Sequence, residues 1–466
     1  MALIKSISGI RGTIGGKPGE ALTPIDVVKY TIAYATWAMQ NSEKKKIVIG
    51  RDARTSGELI SKLVSSTLQS LGLDVIDLGL STTPTVEMAV VWESAAGGII
   101  ITASHNPGQW NALKLLNHNG EFLSEKDGKK ILSLANKKDT EFADIKNIGK
   151  YSLKKDYIEK HIDAILNLPL VDKEAIANRN FRIAIDCVNS TGGLAVPMLL
   201  KALGVKEITP YFCEPNGIFP HNPEPLPENL GFISSEIAKG KFDLGIVVDP
   251  DVDRLCFINE DGSMFGEEYT LVAVADYVLK HKLQGNTVSN LSSTRALKDI
   301  TLKAGGNHYA SAVGEVNVVE SMKLHNAVIG GEGNGGIILP DLHYGRDALV
   351  GIALFLTHLA KFGKTISMLK MKYPSYHISK NKIELAPNTD MDFILKSIKE
   401  KYIKQPINDI DGVKIEFDKE WVHLRQSNTE PIIRIYSESE TLATAEHLAQ
   451  KLIIDIKEII KQKSNQ

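Results

Sequence analysis

Cysteine is scarce in this chain, and its scarcity excludes two kinds of site. Three cysteines occur, Cys187, Cys213 and Cys256. Because their number is odd and their spacings follow no metal-binding pattern, the sequence favours reduced thiols over a disulfide framework or a cysteine zinc site. Reduced thiols are typical of the cytoplasm, which is the expected compartment.

Long apolar runs and an excess of charge of one sign are also lacking. No uninterrupted apolar stretch approaches the roughly 20 residues that a membrane-spanning helix needs, and residues 1–9 lack the continuous apolar region of a signal peptide. With 54 basic and 56 acidic side chains, the formal net charge is −2. This balance favours neither nucleic acid nor an anionic membrane as a partner, so small molecules are the expected partners.

Most of the sequence alternates helix and strand patterns. Thr23 and Pro24 mark the start of a helix expected to end near residue 39, followed by a strand at 46–50, a helix at about 56–71 and a strand at 74–78. Similar helix ends closed by glycine occur near residues 72, 204 and 305. Glycine is common there for backbone reasons alone, but the strands around each copy favour three related α/β units with mainly parallel sheets.

The last part of the chain has a different pattern. Strand patterns at 382–385, 413–417, 421–424 and 432–437 combine with a helix from about residue 391 and a long helix after residue 441, which predicts a smaller α+β domain. The polar segment near 370–381 is the expected joint. A chain of 466 residues is too long for one core, and about three or four domains are expected from its length.

A candidate nucleophile lies in the segment TASHNP (102–107), which follows the apolar run GIII (98–101). A small hydroxyl residue on a tight loop after a buried strand faces a cleft, which suits a nucleophile. Ser104 is that candidate. The alternative is a plain turn, because serine, asparagine and proline are common turn residues.

An acidic segment, DPDVDR (249–254), follows the apolar strand pattern LGIVV (244–248). Three carboxylates at alternate positions repel one another unless a cation neutralises them, and oxygen ligands suit Mg²⁺. The spacing also resembles a calcium loop, but Arg254 occupies the position that requires glycine. A solvated acidic turn is the remaining alternative. The sequence favours a metal loop formed by Asp249, Asp251 and Asp253.

Two further segments carry polar side chains suited to a sugar phosphate. In GGEGNGG (330–336), Glu332 and Asn334 have the acceptors and donors to bind adjacent sugar hydroxyls. In RQSNTEP (425–431), followed by Arg434, guanidinium, hydroxyl and amide donors surround one turn, as phosphate binding requires. Taken singly, each is more consistent with an ordinary surface loop or turn.

In this order, the four segments resemble the α-D-phosphohexomutase family, and the resemblance covers essentially the whole chain. It implies an α/β protein with three related α/β domains of mixed, mainly parallel sheets and a smaller C-terminal α+β domain, heart-shaped around a central cleft. The expected domains are a phosphoserine domain at 1–153, a metal-binding domain at 154–256, a sugar-binding domain at 257–372 and a phosphate-binding domain at 373–466.

The resemblance also implies a role for each motif residue. Ser104, phosphorylated in the active form, would bind Mg²⁺ together with Asp249, Asp251 and Asp253. The implied catalytic residues are Ser104, Lys114, Arg11, Arg254 and His105. The implied substrate-binding residues are Glu332, Asn334, Arg425, Ser427, Asn428, Thr429 and Arg434. Without the resemblance, Lys114 has the pattern of a surface lysine, and Arg11, in GIRG (9–12), that of a solvated loop charge.

The implied reaction moves a phosphoryl group between the 6- and 1-positions of a hexose phosphate through phospho-Ser104 and a hexose 1,6-bisphosphate, which is also the activator. The sugar segment is most similar to phosphoglucosamine mutases that convert glucosamine 6-phosphate to glucosamine 1-phosphate. The alternatives are a phosphomannomutase/phosphoglucomutase, a metal-dependent sugar phosphatase or an inactive sugar-phosphate binder. A monomer or homodimer is expected.

Three positions depart from the family pattern. Ala112 and Asn428 stand where many members have glycine, and Glu315 stands where some have histidine. Asparagine tolerates the left-handed backbone conformation, so Asn428 should preserve the turn. Glu315 leaves any histidine role in the third domain without a residue to perform it.

Overall fold

The computed structural model describes residues 2–6, 9–137, 139–385, 389–426 and 432–464. These residues form four sheets, each with its own helices. No helix among them combines the length and the apolar character needed to cross a membrane.

The first sheet, within the described residues, has seven strands in the order β1-β2-β6-β5-β3-β4-β7. Its strands are β1 Leu3–Ser6, β2 Gly9–Thr13, β3 Lys46–Arg51, β4 Asp74–Leu80, β5 Gly97–Ile101, β6 Trp110–Leu116 and β7 Tyr151–Leu153. Its helices are α1 Pro24–Asn41, α2 Gly57–Ser70, α3 Thr83–Trp92 and α4 Glu125–Leu134. The expected start of α1 is confirmed, because Thr23 caps the helix by accepting a hydrogen bond from the Asp26 backbone N–H.

The second and third sheets have four strands each in the described chain. The second contains β8 Arg182–Asp186, β9 Glu207–Tyr211, β10 Leu244–Val248 and β11 Leu255–Ile258, with α5 Tyr157–Leu166, α6 Lys173–Asn178, α7 Gly192–Ala202 and α8 Gly231–Ile237. The third contains β12 Asn286–Asn290, β13 His308–Ser311, β14 Ala327–Glu332 and β15 Gly336–Ile338, with α9 Glu267–His281, α10 Ala296–Lys303, α11 Glu315–Leu324, α12 Ala348–Phe362 and α13 Ile366–Lys370.

The same four-stranded core occurs in all three of these sheets. The orders β6-β5-β3-β4, β11-β10-β8-β9 and β15-β14-β12-β13 are equivalent, with three parallel strands and one antiparallel strand at the end. The three related α/β units are therefore confirmed. Within each core, the functional segment follows the strand that comes third along the chain: residues 102–107 follow β5, 249–254 follow β10, and 333–335 follow β14.

The fourth sheet is antiparallel, as expected for an α+β domain, and its described strands have the order β16-β20-β19-β18-β17. The elements are β16 His377–Glu384, β17 Ile407–Asn408, β18 Val413–Glu416, β19 Trp421–Gln426 and β20 Ile432–Ser439, with α14 Met391–Lys401 and α15 Leu442–Ser464. Because β16 begins at His377, the expected joint at 370–381 already includes part of this sheet.

Apolar burial matches this division. The first sheet and the fourth sheet each have clusters of their own, whereas one large cluster joins the second and third units around α12. The second sheet continues through β11 to Ile258, two residues beyond the expected boundary at 256. The three proposed boundaries stay predictions.

Candidate active site

Ser104 lies at the tip of the loop between β5 and β6, facing the acidic loop of the second unit. Its side chain is nearly buried, and its backbone adopts a left-handed conformation with φ +49°. Its Oγ donates a hydrogen bond to Oδ2 of Asp249 at 2.8 Å. The predicted nucleophile and the predicted metal loop, 145 residues apart in sequence, are therefore brought together.

Two residues that sequence analysis missed hold this loop. Arg54 is buried and donates hydrogen bonds to the backbone carbonyls of Ser104, Asn106 and Pro107. Asp52 accepts hydrogen bonds from Nε of Arg54 at 3.0 Å and from the hydroxyl of Thr102 at 2.7 Å. Both residues follow β3 at the edge where the parallel strands end, the same positional signal that identified the other motifs.

The acidic loop places three buried carboxylates in one cluster. One oxygen from each of Asp249, Asp251 and Asp253 lies within 4.8 Å of the other two. Burial, with the charges of the other two carboxylates, raises the pKa of Asp249 well above its usual value. Burial also acts to raise the pKa of Asp253, but the cations Arg346, Lys114 and Arg254 outweigh it and hold that pKa below its usual value.

The remaining oxygens of this cluster fit a magnesium ion. Among the described residues, Oδ1 of Asp251 and Oδ1 of Asp253 are buried and have no hydrogen-bond partner. Leaving two carboxylate oxygens buried and unpaired is costly without a cation. With the Ser104 oxygen beside Asp249, the donor set is oxygen alone, which is what Mg²⁺ prefers.

Lys114 is not a surface residue. It lies on β6 with only 6% of its surface exposed, and its ammonium contacts Oδ2 of Asp251 at 2.7 Å and Oδ2 of Asp253 at 3.2 Å. Burial acts to lower the pKa of Lys114, but the two carboxylates outweigh it and raise the pKa above its usual value. Lys114 is therefore protonated in the resting site and is available as a proton donor.

The three other predicted catalytic side chains surround the same cleft. Arg11 donates a hydrogen bond to Oδ1 of Asn106 at 2.6 Å, and Arg254 pairs with Glu224 at 2.9 Å. Nδ1 of His105 lies 3.3 Å from the Ser104 hydroxyl. Burial, with the positive charges of Arg254 and Arg11, lowers the pKa of His105 well below its usual value, so His105 is neutral at physiological pH.

The sugar segment forms a rigid turn beside the acidic loop. Gly335 has φ +84°, and a Cβ there would lie 2.1 Å from the backbone oxygen of Leu255, so only glycine fits. Oε1 of Glu332 accepts hydrogen bonds from the Asn290 amide and the Gly314 backbone N–H, at 2.8 and 3.0 Å. Asn334 lies beside it, with Nδ2 3.5 Å from Oε2 of Glu332.

Arg346, which sequence analysis did not identify, joins the metal loop to the sugar segment. Its buried guanidinium contacts Asp253 at 2.8 Å, Glu332 at 2.9 Å and Glu315 at 2.8 Å. Glu315, the residue in place of the family histidine, is thus the partner of an arginine. Arg346 sits in the segment YGRD, which carries no glycine loop or carboxylate series that would mark it in sequence.

We expect Arg346→Lys to lower turnover by about 10²-fold, because a single ammonium cannot bind three acidic side chains at once as the guanidinium fork does. The measurement is the rate of the hexose phosphate isomerisation that the resemblance implies, across a range of Mg²⁺ concentrations. The matched control is Arg182→Lys, which changes an exposed arginine paired with Asp243. Full activity of Arg346→Lys at every Mg²⁺ concentration would contradict this role.

The phosphate segment is described only in part. Ser427, Asn428 and Thr429 lie outside the described residues. Arg425 and Arg434 are opposite each other on β19 and β20. Nε of Arg425 lies 2.8 Å from Oδ2 of Asp411, and the Asp411 carboxylate also accepts a hydrogen bond from the backbone N–H of Val313, at 3.0 Å. This contact connects the fourth domain to the third beside Gly314.

A buried histidine lies at the same junction. Nδ1 of His423 is 2.9 Å from the hydroxyl of Ser292, and Nε2 is 2.6 Å from the backbone oxygen of Asp411. Burial and the nearby charge of Lys414 outweigh the contact with Asp411 and lower the pKa of His423 to about 4.

This lowered pKa predicts that acid destabilises the protein. Between pH 6.5, the ordinary value, and about 4, the unfolded chain takes up a proton at His423 that the folded chain does not, so stability falls as the pH decreases. His423→Gln should reduce this dependence, measured as the thermal midpoint against pH. His377→Gln, at an exposed histidine, should retain it. Identical pH profiles for wild type and His423→Gln would contradict the assignment.

Profiles of the phosphoglucomutase/phosphomannomutase family match the chain in order. The profiles of the alpha/beta/alpha domains I, II and III match residues 3–142, 159–262 and 266–376, and the profile of the C-terminal domain matches residues 388–454.

Similar proteins cover almost the whole chain. A Thermococcus kodakarensis protein described as a phosphoglucomutase/phosphomannomutase is 37% identical over 457 residues, 97% of this chain and 99% of the relative. A Sulfurisphaera tokodaii protein described as a phosphoglucosamine/phosphogalactosamine mutase is 31% identical, covering 99% of this chain and all of the relative. The crystal structure of a family protein from Burkholderia thailandensis has the same fold, with a TM-score of 0.84, 22% identity and 98% coverage of each chain.

Proposed function

The chain belongs to the phosphoglucomutase/phosphomannomutase family of phosphohexomutases and is an isomerase that works by intramolecular phosphotransfer, and we propose that it converts glucosamine 6-phosphate to glucosamine 1-phosphate through phospho-Ser104. The observation that carries the proposal is the hydrogen bond from Ser104 to Asp249, which places the candidate nucleophile against a buried cluster with unpaired carboxylate oxygens. Asp249, Asp251 and Asp253 would hold a Mg²⁺ ion there, which would supply charge neutralisation for the phosphoryl group.

The residues around Ser104 fit both halves of the cycle. In the first half, the bond between phosphorus and the Ser104 oxygen breaks while a bond to the free 1-hydroxyl of the sugar forms. A proton passes from that hydroxyl to the serine oxygen. Lys114, protonated at rest, donates first and is restored by the hydroxyl proton. The resulting 1,6-bisphosphate reorients, and the reverse reaction returns its 6-phosphoryl group to Ser104.

The other site residues bind the phosphate groups and the hydroxyl groups of the sugar. Arg11 and Arg254 flank the transferring phosphoryl group, while His105, being neutral, adds no charge beside Ser104. Glu332 and Asn334 bind the sugar hydroxyls; a carboxylate has about four acceptor positions, so Glu332 retains capacity beyond its present partners. Arg425, Arg434 and the segment 427–429 bind the phosphate that is not being transferred in each half of the cycle.

The preference for glucosamine phosphate is supported by the Sulfurisphaera tokodaii relative, which is described as acting on amino-sugar phosphates. The Thermococcus kodakarensis relative supports the second candidate, a phosphoglucomutase/phosphomannomutase. A relative at 37% identity is a better guide to the class of reaction than to which substituent the enzyme prefers at carbon 2 of the sugar.

Phosphorus NMR of the purified protein separates these possibilities. The protein is incubated with Mg²⁺, a trace of hexose 1,6-bisphosphate and, in separate tubes, glucosamine 6-phosphate, mannose 6-phosphate or glucose 6-phosphate. We expect the glucosamine 1-phosphate signal to grow fastest. Faster conversion of mannose or glucose phosphate would favour the second candidate, and free phosphate alone would identify a phosphatase. Chelation of Mg²⁺ should stop all conversion, and its return should restore it.

A further inference from the structure

A second cluster of metal-ligating side chains lies outside the acidic loop, where the first three α/β units meet. His161 lies on α5, and His343 and Asp347 lie in the segment that leads from β15 into α12. One ligand atom from each of the three lies within 4.8 Å of the other two. The side chains of His161 and Asp347 are fully buried, and that of His343 is 13% exposed.

Both imidazoles approach the same carboxylate oxygen. Nε2 of His161 lies 2.9 Å, and Nε2 of His343 lies 3.3 Å, from Oδ2 of Asp347. Oδ1 of Asp347 instead accepts hydrogen bonds from the backbone N–H groups of Leu349 and Val350, at 2.8 and 3.3 Å. The rings meet at 85° with centroids 6.2 Å apart. The two Nε2 atoms and Oδ2 therefore converge on one point.

The far side of each imidazole faces an acceptor on α3. Nδ1 of His161 lies 3.0 Å from the hydroxyl of Thr85, and Nδ1 of His343 lies 3.4 Å from Oε2 of Glu87. Histidines that bind a metal through one nitrogen usually donate the other ring N–H to a carboxylate or a similar acceptor. With Nδ1 of each ring facing α3, Nε2 of each ring is the atom placed to bind a metal ion beside Oδ2 of Asp347.

Glu87 is an independent indication of a missing cation. It is 1% exposed, and neither of its carboxylate oxygens accepts a hydrogen bond within the described part of the chain, although Oε2 lies 3.4 Å from Nδ1 of His343. With Asp347, it places two carboxylates beside two imidazoles. Two buried carboxylates at one place favour a cation between or beside them.

We propose that Nε2 of His161, Nε2 of His343 and Oδ2 of Asp347 bind one divalent transition-metal ion, with Zn²⁺ preferred. Two imidazoles and one carboxylate are a usual zinc donor set, with the fourth position left to water. The set differs from the oxygen-only triad of the acidic loop, so the two sites take different metals.

The proposed ion would join two domains directly, reach a third through the contact of His343 with Glu87, and support a site residue. Glu87 falls in the part matched by the domain I profile, His161 in that of domain II, and His343 in that of domain III. Asp347 directly follows Arg346, whose guanidinium contacts Asp253 and Glu332. The ion would therefore fix the segment that positions Arg346.

Metal content tests the proposal in the full chain. The protein is stripped with a chelator, dialysed against Zn²⁺ in excess Mg²⁺ to keep the acidic triad occupied, and freed of loosely bound ions. We expect about one zinc ion per wild-type chain, none in His343→Gln, and about one in the matched control His281→Gln, which changes an exposed histidine at the end of α9. Wild-type protein without zinc, or His343→Gln with the wild-type content, would overturn it.

Zinc-edge X-ray absorption of the wild type keeps the test decisive if His343→Gln fails to fold. We expect a ligand shell of two imidazole nitrogens with oxygen at about 2.0–2.2 Å. A shell of oxygen alone would place the zinc in the acidic triad and refute the site. Zn²⁺ should also raise the thermal midpoint of the wild type, since binding only to the folded chain stabilises it; a midpoint that does not rise would count against the site.

Discussion

Ser104→Ala is expected to lower mutase turnover by about 10⁴-fold or more, because the proposed cycle has no second nucleophile to carry the phosphoryl group. The variant removes one hydroxyl and leaves the charges of the acidic loop intact. The rate is measured by phosphorus NMR with Mg²⁺ and a trace of hexose 1,6-bisphosphate. Intact-protein mass spectrometry should show one added phosphoryl group on wild type incubated with the bisphosphate and none on the variant.

Ser66→Ala is the matched control, since it removes an exposed serine hydroxyl on α2. It should keep both the turnover and the added phosphoryl group. Turnover of Ser104→Ala at the wild-type rate would rule out the phosphoserine intermediate while leaving the family membership in place.

Lys114→Met is expected to lower kcat by about 10³-fold, the range usual for loss of a general acid. Methionine has a similar length but cannot donate a proton. Lys114 and a metal ion compete for the negative charge of Asp251 and Asp253, so removing the ammonium should leave Mg²⁺ binding intact or tighter. Turnover is measured against Mg²⁺ concentration, and Mg²⁺ affinity by titration calorimetry.

Measuring turnover and Mg²⁺ affinity separately distinguishes a proton donor from a structural cation. Lys62→Met, at an exposed lysine paired with Glu58, should change neither turnover nor Mg²⁺ affinity. A Lys114→Met variant that lost Mg²⁺ binding in proportion to turnover would show that Lys114 only holds the loop in place.

The fold was predictable because its signals are local. Alternating helix and strand patterns, with a glycine after one helix of each unit, predict the three α/β units, and these glycines have positive φ, 79° at Gly72, 88° at Gly204 and 81° at Gly305. Apolar runs followed by polar residues locate the functional segments, since strand ends at one edge of a parallel sheet are where ligands bind. That equivalent position in each unit explains why three separate segments meet in one cleft.

The contacts between segments were not predictable, because they depend on how the domains are placed. Lys114 has a sequence neighbourhood no different from that of a surface lysine, and its burial comes from carboxylates 137 and 139 residues away. The position of Arg346 in the site likewise depends on its contacts with three acidic side chains on other segments. Arg54, by contrast, follows a strand in the same way as the recognised motifs and was open to the same reasoning.

The left-handed backbone at Ser104 restricts which residues this position can accept over evolutionary time. At φ +49°, a β-branched side chain is a strong steric outlier, so threonine is disfavoured although it carries the same hydroxyl. Glycine suits the backbone but has no nucleophile. A phosphothreonine version of this site is therefore disfavoured by the main chain rather than by the chemistry.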